Sequence, residues 1–440
     1  MKQIAFLLYL TASLGLFAYT VKKLIGYFKL THPFHRTDNI GKRIRTTLLV
    51  AFGQTKMFQR PFSGLLHALV YWGFLVITIG TVEMIIDGSL GLERSLGFLG
   101  GFYDFVTLSG ELFAVIILVS CVIFLGRRYI TKPKRFIAPE MKPSSRMDAT
   151  FILTMIILLM ISLIGMNMGY VGLAKMGAVS DPVGSYPVSM ALGAVTADWS
   201  ADKLHVFHEV NWWVHIGLVL AFLNILPRSK HFHVMLSIPN VFFSRLEPPG
   251  KLENLKSVTH EVKLMLDPSA TPPADAPPPS RFGVKDVTDI TWKTLMDAYT
   301  CTECGRCTAV CPANITGKKL SPRKIYIDTR RRMKDVGDGF VADPNYSDGK
   351  SLVGDYITEE ELWACTTCGA CMQECPVNIE HIPHIIGMRQ YLVMEESKAP
   401  EALNSMFNNI ENNGAPWALS AASRFDWATS ISMPADKVKA

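Results

Sequence analysis

Five apolar stretches, all before residue 230, set the terms on which this chain can fold. They run roughly over 4–21, 62–86, 105–126, 149–169 and 207–227, each long and apolar enough to cross a bilayer as a helix. They explain why a chain of 440 residues, with room for two or three domains, is 49% hydrophobic although its remainder has ordinary soluble composition. The first stretch has no basic segment beyond Lys2 and no small-residue cleavage site, and Lys22 and Lys23 follow it. The sequence therefore predicts a retained helix and not a secretory leader.

The loops orient the spans. Between spans one and two, and between spans three and four, lie sixteen Lys and Arg residues; the opposite loops hold only Arg94, Lys175 and Lys203. Basic loops stay in the cytoplasm, so the N-terminus is expected outside and the residues after span five inside, at the cytoplasmic (inner) membrane. The net charge of +6 comes largely from these flanking loops and not from one patch interleaved with aromatics, which argues against nucleic acid as a partner.

Eight of the nine cysteines fall into two copies of one spacing: Cys301, Cys304, Cys307, Cys311 before Pro312, and Cys365, Cys368, Cys371, Cys375 before Pro376. The run C-x2-C-x2-C-x3-C-P is the bacterial ferredoxin signature for a cubane [4Fe–4S] cluster. Three thiolates on one tight loop reach three irons, and the fourth, ahead of a helix-breaking proline, turns to the other cluster. Crossed ligation is expected: Cys301, Cys304, Cys307 and Cys375 on one cluster, Cys365, Cys368, Cys371 and Cys311 on the other. Zinc sites close with four ligands and need no x3-C-P arm, and disulfides would not repeat the spacing. Cluster thiolates require a reducing compartment, so two independent arguments put this part in the cytoplasm. Cys121, in an apolar helix without a thiol partner, reads as a small core or lipid-facing residue.

The expected architecture is mainly α: a five-helix transmembrane bundle followed by a cytoplasmic, helical two-cluster ferredoxin domain. Residues 1–240 form a cytochrome b-like membrane domain. Residues 241–281 are an amphipathic stretch and a stiff Pro-rich tether over 268–279. Residues 282–395 hold the clusters, and 396–440 form a partner-binding tail. More than fifty residues separate the cysteine runs, including a predicted helix over 318–334 and a loop over 343–349.

Ionisable residues inside spans are functional hypotheses by default. His67 lies one to two turns into span two, among Leu65, Leu66, Leu69 and Val70. His205, His208 and His215 lie towards the outer side of span five, and His231 and His233 at its inner boundary. On a continuous helix His215 and His233, eighteen positions apart, would share a face about 27 Å apart. Haem b needs two imidazoles on opposite sides of its plane, supplied by facing helices. His67 and His233 lie at similar depth and are the natural axial pair. His215, His208 and Glu111 are candidates for a second haem or a quinone pocket, while Glu83 and Glu111 could equally bond neighbouring helices.

With these residues in place, the first 240 residues resemble the cytochrome b (gamma) subunit of respiratory nitrate reductase. The resemblance rests on five spans, an outside N-terminus, and Pro227, Ser229 and Lys230 leading to His233. It implies His67 and His233 on an inner haem and His215 on an outer one. The outer haem's second histidine would fall where this chain has Ile77, so one haem is expected. Residues 281–440 resemble the membrane-bound heterodisulfide-reductase-like iron–sulfur oxidoreductases, including the electron-transfer-flavoprotein:quinone type. Arg281–Val284, Ile290–Lys293, Cys301–Cys307, Leu320–Pro322 and Trp363–Cys368 carry that likeness. Relatives often continue into cysteine-rich CCG domains, and this chain has no cysteine after Cys375. The resemblance implies a separate CCG-domain subunit as partner.

The sequence thus predicts an oxidoreductase subunit, catalytic with a partner. It would pass electrons from electron-transfer flavoprotein or another soluble donor through two [4Fe–4S] clusters and haem b to membrane quinone, the substrate. The alternatives are the reverse flow, quinol oxidation feeding a cytoplasmic disulfide reductase, and a non-catalytic anchor for a soluble redox complex. No Walker or Gly-rich dinucleotide motif stands out, so no flavin or nucleotide site is assigned.

Overall fold

The computed structural model describes residues 2–179, 182–252, 254–267, 269 and 281–429. Nearly all of the Pro-rich stretch, and the tail beyond 429, lie outside them. The described residues form helices and two isolated β-bridges, with no strand among them.

Five helices are long and apolar enough to cross a membrane: α1 (Lys2–Lys29), α3 (Pro61–Leu90), α4 (Gly101–Gly126, prolonged to Thr131), α5 (Pro143–Lys175) and α7 (Ala201–Ile225, prolonged to Arg228). Between them lie α2 (Ile40–Thr47) and the short α6 (Pro187–Leu192). No more than 44% of any span's apolar window is buried, so most of that surface faces outward, as lipid contact requires. Every span outruns its expected bounds, because the helices continue past the hydrocarbon thickness into polar ends.

Two apolar clusters hold the bundle. Phe6, Met84, Met166, Trp212, Ile216 and Leu220 join α1, α3, α5 and α7. Ala114, Ile117, Cys121, Leu159 and Met160 join α4 to α5, so Cys121 is a core residue. Helices α5 and α7 approach closely along Gly165 and Gly169. A methyl at Gly169 would lie 2.8 Å from His208 Cβ. Without a hydrophobic force between helices in lipid, such small-residue contacts and buried polar pairs provide the association, here including Asn224 Nδ2 donating to Ser13 Oγ at 2.8 Å.

Span five does not run on to His233. Helix α7 ends at Ile225, Pro227 sits in a short 3₁₀ turn, and Ser229 is extended. A new helix α8 (His233–Phe242) then begins at the histidine itself. The continuity on which the face shared by His215 and His233 depends is therefore lost at Pro227, where a bend was open, because proline removes a backbone donor and Ser229 is extended.

Packing groups residues 1–253 with 286–384 in one compact unit, so bundle and cysteine runs belong together. The described residues among 254–285 and 385–429 form a second unit. After α9 (Lys256–Leu266), the cysteine region comprises α10 (Trp292–Thr300), α11 (Arg306–Ala309), α12 (Pro312–Ile315), α13 (Pro322–Ala342), α14 (Glu359–Trp363), α15 (Ala370–Glu374) and α16 (His381–Met394). Caps fix three of these starts: Thr291, Ser321 and Thr358 each accept from a backbone N–H of the first turn. The helix expected over 318–334 starts at Pro322 and runs on to Ala342, and 343–349 is a loop. Within the second unit, Val284 N–H donates to the Gly387 carbonyl at 2.9 Å. Helix α17 (Glu401–Asn413) there leaves Phe407 and Ile410 exposed.

In the first unit, segments flanking the spans grip the cysteine region through buried polar pairs. Arg36 meets Glu380 at 2.8 Å, and Asn240 on α8 donates to Asp297 on α10 at 2.9 Å. Tyr27 at the end of α1 donates to Asp338 at 2.8 Å.

Candidate functional site

Both cysteine runs fold into one backbone shape. In the first, Glu303 and Gly305 take left-handed φ values of 57° and 70°; in the second, Thr367 and Gly369 take 55° and 79°. Successive residues of this kind turn N–H groups into a concave loop suited to anions, including cluster sulfurs. Thr367 N–H donates to Cys365 Sγ and Ile379 N–H to Cys375 Sγ, each at 3.4 Å. Glycine after the second cysteine is required by space as well as by φ: a methyl on Gly305 would lie 2.5 Å from Arg323 Nη1. Gly305→Ala is expected to cost about 1–2 kcal/mol in backbone conformation and also to displace the buried Arg323, lowering the iron bound per chain. Gly317→Ala, at φ 85° with open space around it, carries the strain alone and should keep full iron. Iron assay of both variants checks this.

Cys301, Cys304, Cys307 and Cys375 line one cavity together with Arg306, Arg323 and His381. Cys371 and Cys311 group with Cys365 and Cys368: burial raises both thiols above the ordinary range, and the neighbouring Cys365 and Cys368 act in the same direction, opposed at Cys311 by backbone hydrogen bonds from Asn314 and Ala313. The structure thus brings the cysteines together in two crosswise sets. Cys368 is exposed, whereas Cys301, Cys307 and Cys375 are buried. Burial pushes the Cys301 thiol up to about 12 and that of Cys375 up to about 11. Such thiols ionise only when a metal replaces the proton. Among the described residues no three His, Cys, Asp or Glu side chains close on a single ion. The soft donors instead ring a space, and that arrangement fits a polynuclear cluster.

His67 on α3 and His233 at the start of α8 face each other, ring centroids 6.4 Å apart and planes tilted by 31°. They are too far apart to stack, and each keeps part of its surface accessible. Two metal–nitrogen bonds of about 2 Å plus two ring radii give a centroid spacing of about 6.3 Å, so the pair fits one iron between them. His233 Nδ1 donates to the Lys230 carbonyl at 3.2 Å, which leaves Nε2 free, the arrangement usual for a metal-ligating histidine. His67 Nδ1 is buried and makes no hydrogen bond within the protein.

The outer candidates are placed differently. Glu111 accepts from Val188 N–H at 2.9 Å, Ser189 N–H at 3.1 Å, Asn167 Nδ2 at 3.3 Å and the Ser189 hydroxyl. It caps α6 and braces α4 to α5. Glu83 accepts from Leu96 N–H and Tyr103 OH, each at 3.0 Å. His208 donates to Met166 O at 2.9 Å and His215 to Leu159 O at 3.0 Å. Each binds its own helix neighbour and they form no shared cluster. Ile77 packs against the α4–α5 core.

Sequence reasoning missed the groups that join the sites. Glu303, between Cys301 and Cys304, is buried and paired with Arg330 and Lys230, the latter at 3.6 Å. Arg330 also donates to the Cys301 carbonyl at 2.9 Å. Lys56, before α3, donates to the Cys375 carbonyl at 3.2 Å, and Arg306 donates to Lys56 O and Gln59 Oε1, each at 3.0 Å. An acid inside a cysteine run was the one available signal.

Residues 300–379 match the 4Fe-4S dicluster domain family, so this part of the chain is a [4Fe–4S] dicluster domain. Over 96% of its length the chain is 31% identical to a Bacillus subtilis protein named "Probable iron-sulfur-binding oxidoreductase FadF". Over 92% it is 26% identical to the "EtfAB:quinone oxidoreductase" of Syntrophomonas wolfei. It spans 60% and 56% of those two proteins. A quarter of the chain (24%) is 31% identical to 53% of a CoB-CoM heterodisulfide reductase component from Methanosarcina acetivorans. No solved structure matches it.

Proposed function

We propose that this chain is the membrane-anchored electron relay of a quinone-linked oxidoreductase. Its cytoplasmic donor would be electron-transfer flavoprotein or a CCG-domain subunit, and its acceptor the quinone pool. The observation that carries the reading is the 6.4 Å His67–His233 pair, tied through Lys230 to Glu303 inside the first cysteine run. The apolar spans, the dicluster domain and the likeness to proteins named as iron–sulfur and quinone oxidoreductases support it.

When bound, clusters and haem supply one-electron transfer, which links a two-electron donor to a two-electron quinone in single steps. The residues do the positioning. Cys301, Cys304, Cys307 and Cys375 would hold one cluster, and Cys365, Cys368, Cys371 and Cys311 the other. The exposure of Cys368 supports a second set on the solvent side, where a soluble donor would arrive. Arg330 and Lys230 neutralise Glu303 and fix the first set against the histidine pair. Lys230 O holds His233 in the tautomer that leaves Nε2 free. The excess of basic residues in the loops after spans one and three supports a cytoplasmic dicluster domain.

The reduced-minus-oxidised optical spectrum of the purified chain in detergent tests this. A haem b band that added quinol can reduce is expected; intact iron and sulfide without any such band would overturn the reading. The likeness to a heterodisulfide reductase component favours a second reading, quinol oxidation feeding a cytoplasmic disulfide reductase. Redox titration of clusters and haem against the quinone couple separates the two directions.

A further inference from the structure

The cavity ringed by Cys301, Cys304, Cys307 and Cys375 is also lined by a histidine that the relay as described does not use. His381 is 1% exposed, at the start of α16, and its Nδ1 has no hydrogen-bond partner. The Ile379 carbonyl lies beside the ring but outside hydrogen-bonding geometry with Nδ1. Its neighbour one turn on, His384, is equally buried but satisfied, bonded through Nε2 to Thr329 Oγ1 at 2.9 Å. Tyr326 packs edge-on against His381 at 5.1 Å and donates its own hydroxyl to the Glu380 carbonyl at 2.9 Å, so it fixes the ring without bonding it. A buried polar nitrogen left bare costs on the order of 1–3 kcal/mol, and native interiors keep few of them. At a cavity of thiols, a partner of the right chemistry is a cluster sulfur.

We propose that His381 donates a hydrogen bond to a sulfur of the cluster held by Cys301, Cys304, Cys307 and Cys375, and so raises that cluster's reduction potential. This rests on the ligand sets given above. The physical reason is that reduction adds negative charge to the cluster, and a fixed N–H aimed at sulfur stabilises the reduced form more than the oxidised one. Arg306 and Arg323 line the same cavity, but each is paired with a carboxylate, Glu374 at 2.9 Å and Glu140 at 2.6 Å, so their charges are offset. His381 is a positioning and potential-setting residue, and donor chemistry sets its effect.

The test uses the full chain with its clusters in detergent and follows redox titrations by EPR. His381→Leu is expected to keep iron and sulfide and to move the midpoint of one cluster signal to lower potential. His381→Gln, which keeps a donor, should recover part of the shift. The signal that moves should be the one removed by Cys304→Ala. Two unchanged midpoints in His381→Leu with full clusters would overturn the proposal and leave the ligand sets standing. A shift in the signal that Cys365→Ala removes would instead overturn the sets. Should His381→Leu lose its cluster, wild-type chain labelled with ¹⁵N-histidine decides by pulsed EPR. A weak coupling to one histidine nitrogen, with a proton lost in D₂O, supports the bond. No histidine coupling, or a strong one marking a direct ligand, overturns it.

Discussion

Purified His67→Ala and His233→Ala variants are expected to lack the haem b absorption band and to keep both cluster EPR signals. The argument is geometric. The two rings come from different elements, α3 and α8, and face each other at a spacing that one iron bridges. Removing either side leaves one axial ligand. His231, the nearest, has its ring 5.9 Å from that of His233 and its Nδ1 3.0 Å from Ser229 Oγ. Nearly complete loss of the band is therefore expected in both variants. Cluster signals should persist, because the cysteine loops are held by their own turns. His215→Ala should keep the band, since its Nδ1 bonds Leu159 on α5 and its ring lies in the α5–α7 contact. Retention of full haem in His67→Ala or His233→Ala, or its loss in His215→Ala, would reassign the ligands. Optical spectra and iron content of the three proteins decide.

What the sequence made legible was set by local rules. Span length and cysteine spacing are each read from neighbours in the chain, and they gave the five helices and the dicluster domain. Depth along a span suggested His67 and His233 as a pair, and their rings lie 6.4 Å apart. The break at Pro227–Ser229 was not, because a proline near a helix end can kink the helix or end it, and tertiary contacts choose. The roles of Glu83 and Glu111 were open for a similar reason. A carboxylate in a span reads alike whether it carries protons or caps a helix, and only Val188 and Ser189, seventy-odd residues away, show the cap. Glu303, Arg330 and His381 stayed hidden, and Lys230 was read only as part of the approach to His233, because their partners are brought together by the fold alone.

Glu303→Gln is expected to destabilise the dicluster region by about 3–5 kcal/mol, the usual effect of removing one member of a buried charge group. Glu303 is 6% exposed and faces Arg330, 9% exposed, and Lys230, 7% exposed. An amide would leave both cations buried without their carboxylate. The backbone argues the other way: Glu303 holds φ at 57°, and Glu303→Gly would relieve about 1–2 kcal/mol of left-handed strain. That gain is smaller than the lost ion pairing, so Glu303→Gly should also be less stable than wild type, though more stable than Glu303→Gln. Thermal bleaching of cluster absorbance ranks the three proteins. Equal stability of Glu303→Gln and wild type would show that desolvation already cancels the pairing. The consequence extends beyond stability, because the Lys230 carbonyl accepts from His233 Nδ1. Once Lys230 loses its carboxylate and keeps only its bonds to Ser145 and Asp148, the imidazole it orients loosens, and the haem EPR spectrum of Glu303→Gln should broaden or shift. An unchanged haem spectrum in a destabilised Glu303→Gln would confine the ion pair to holding the cysteine loop, with no influence on the histidine pair.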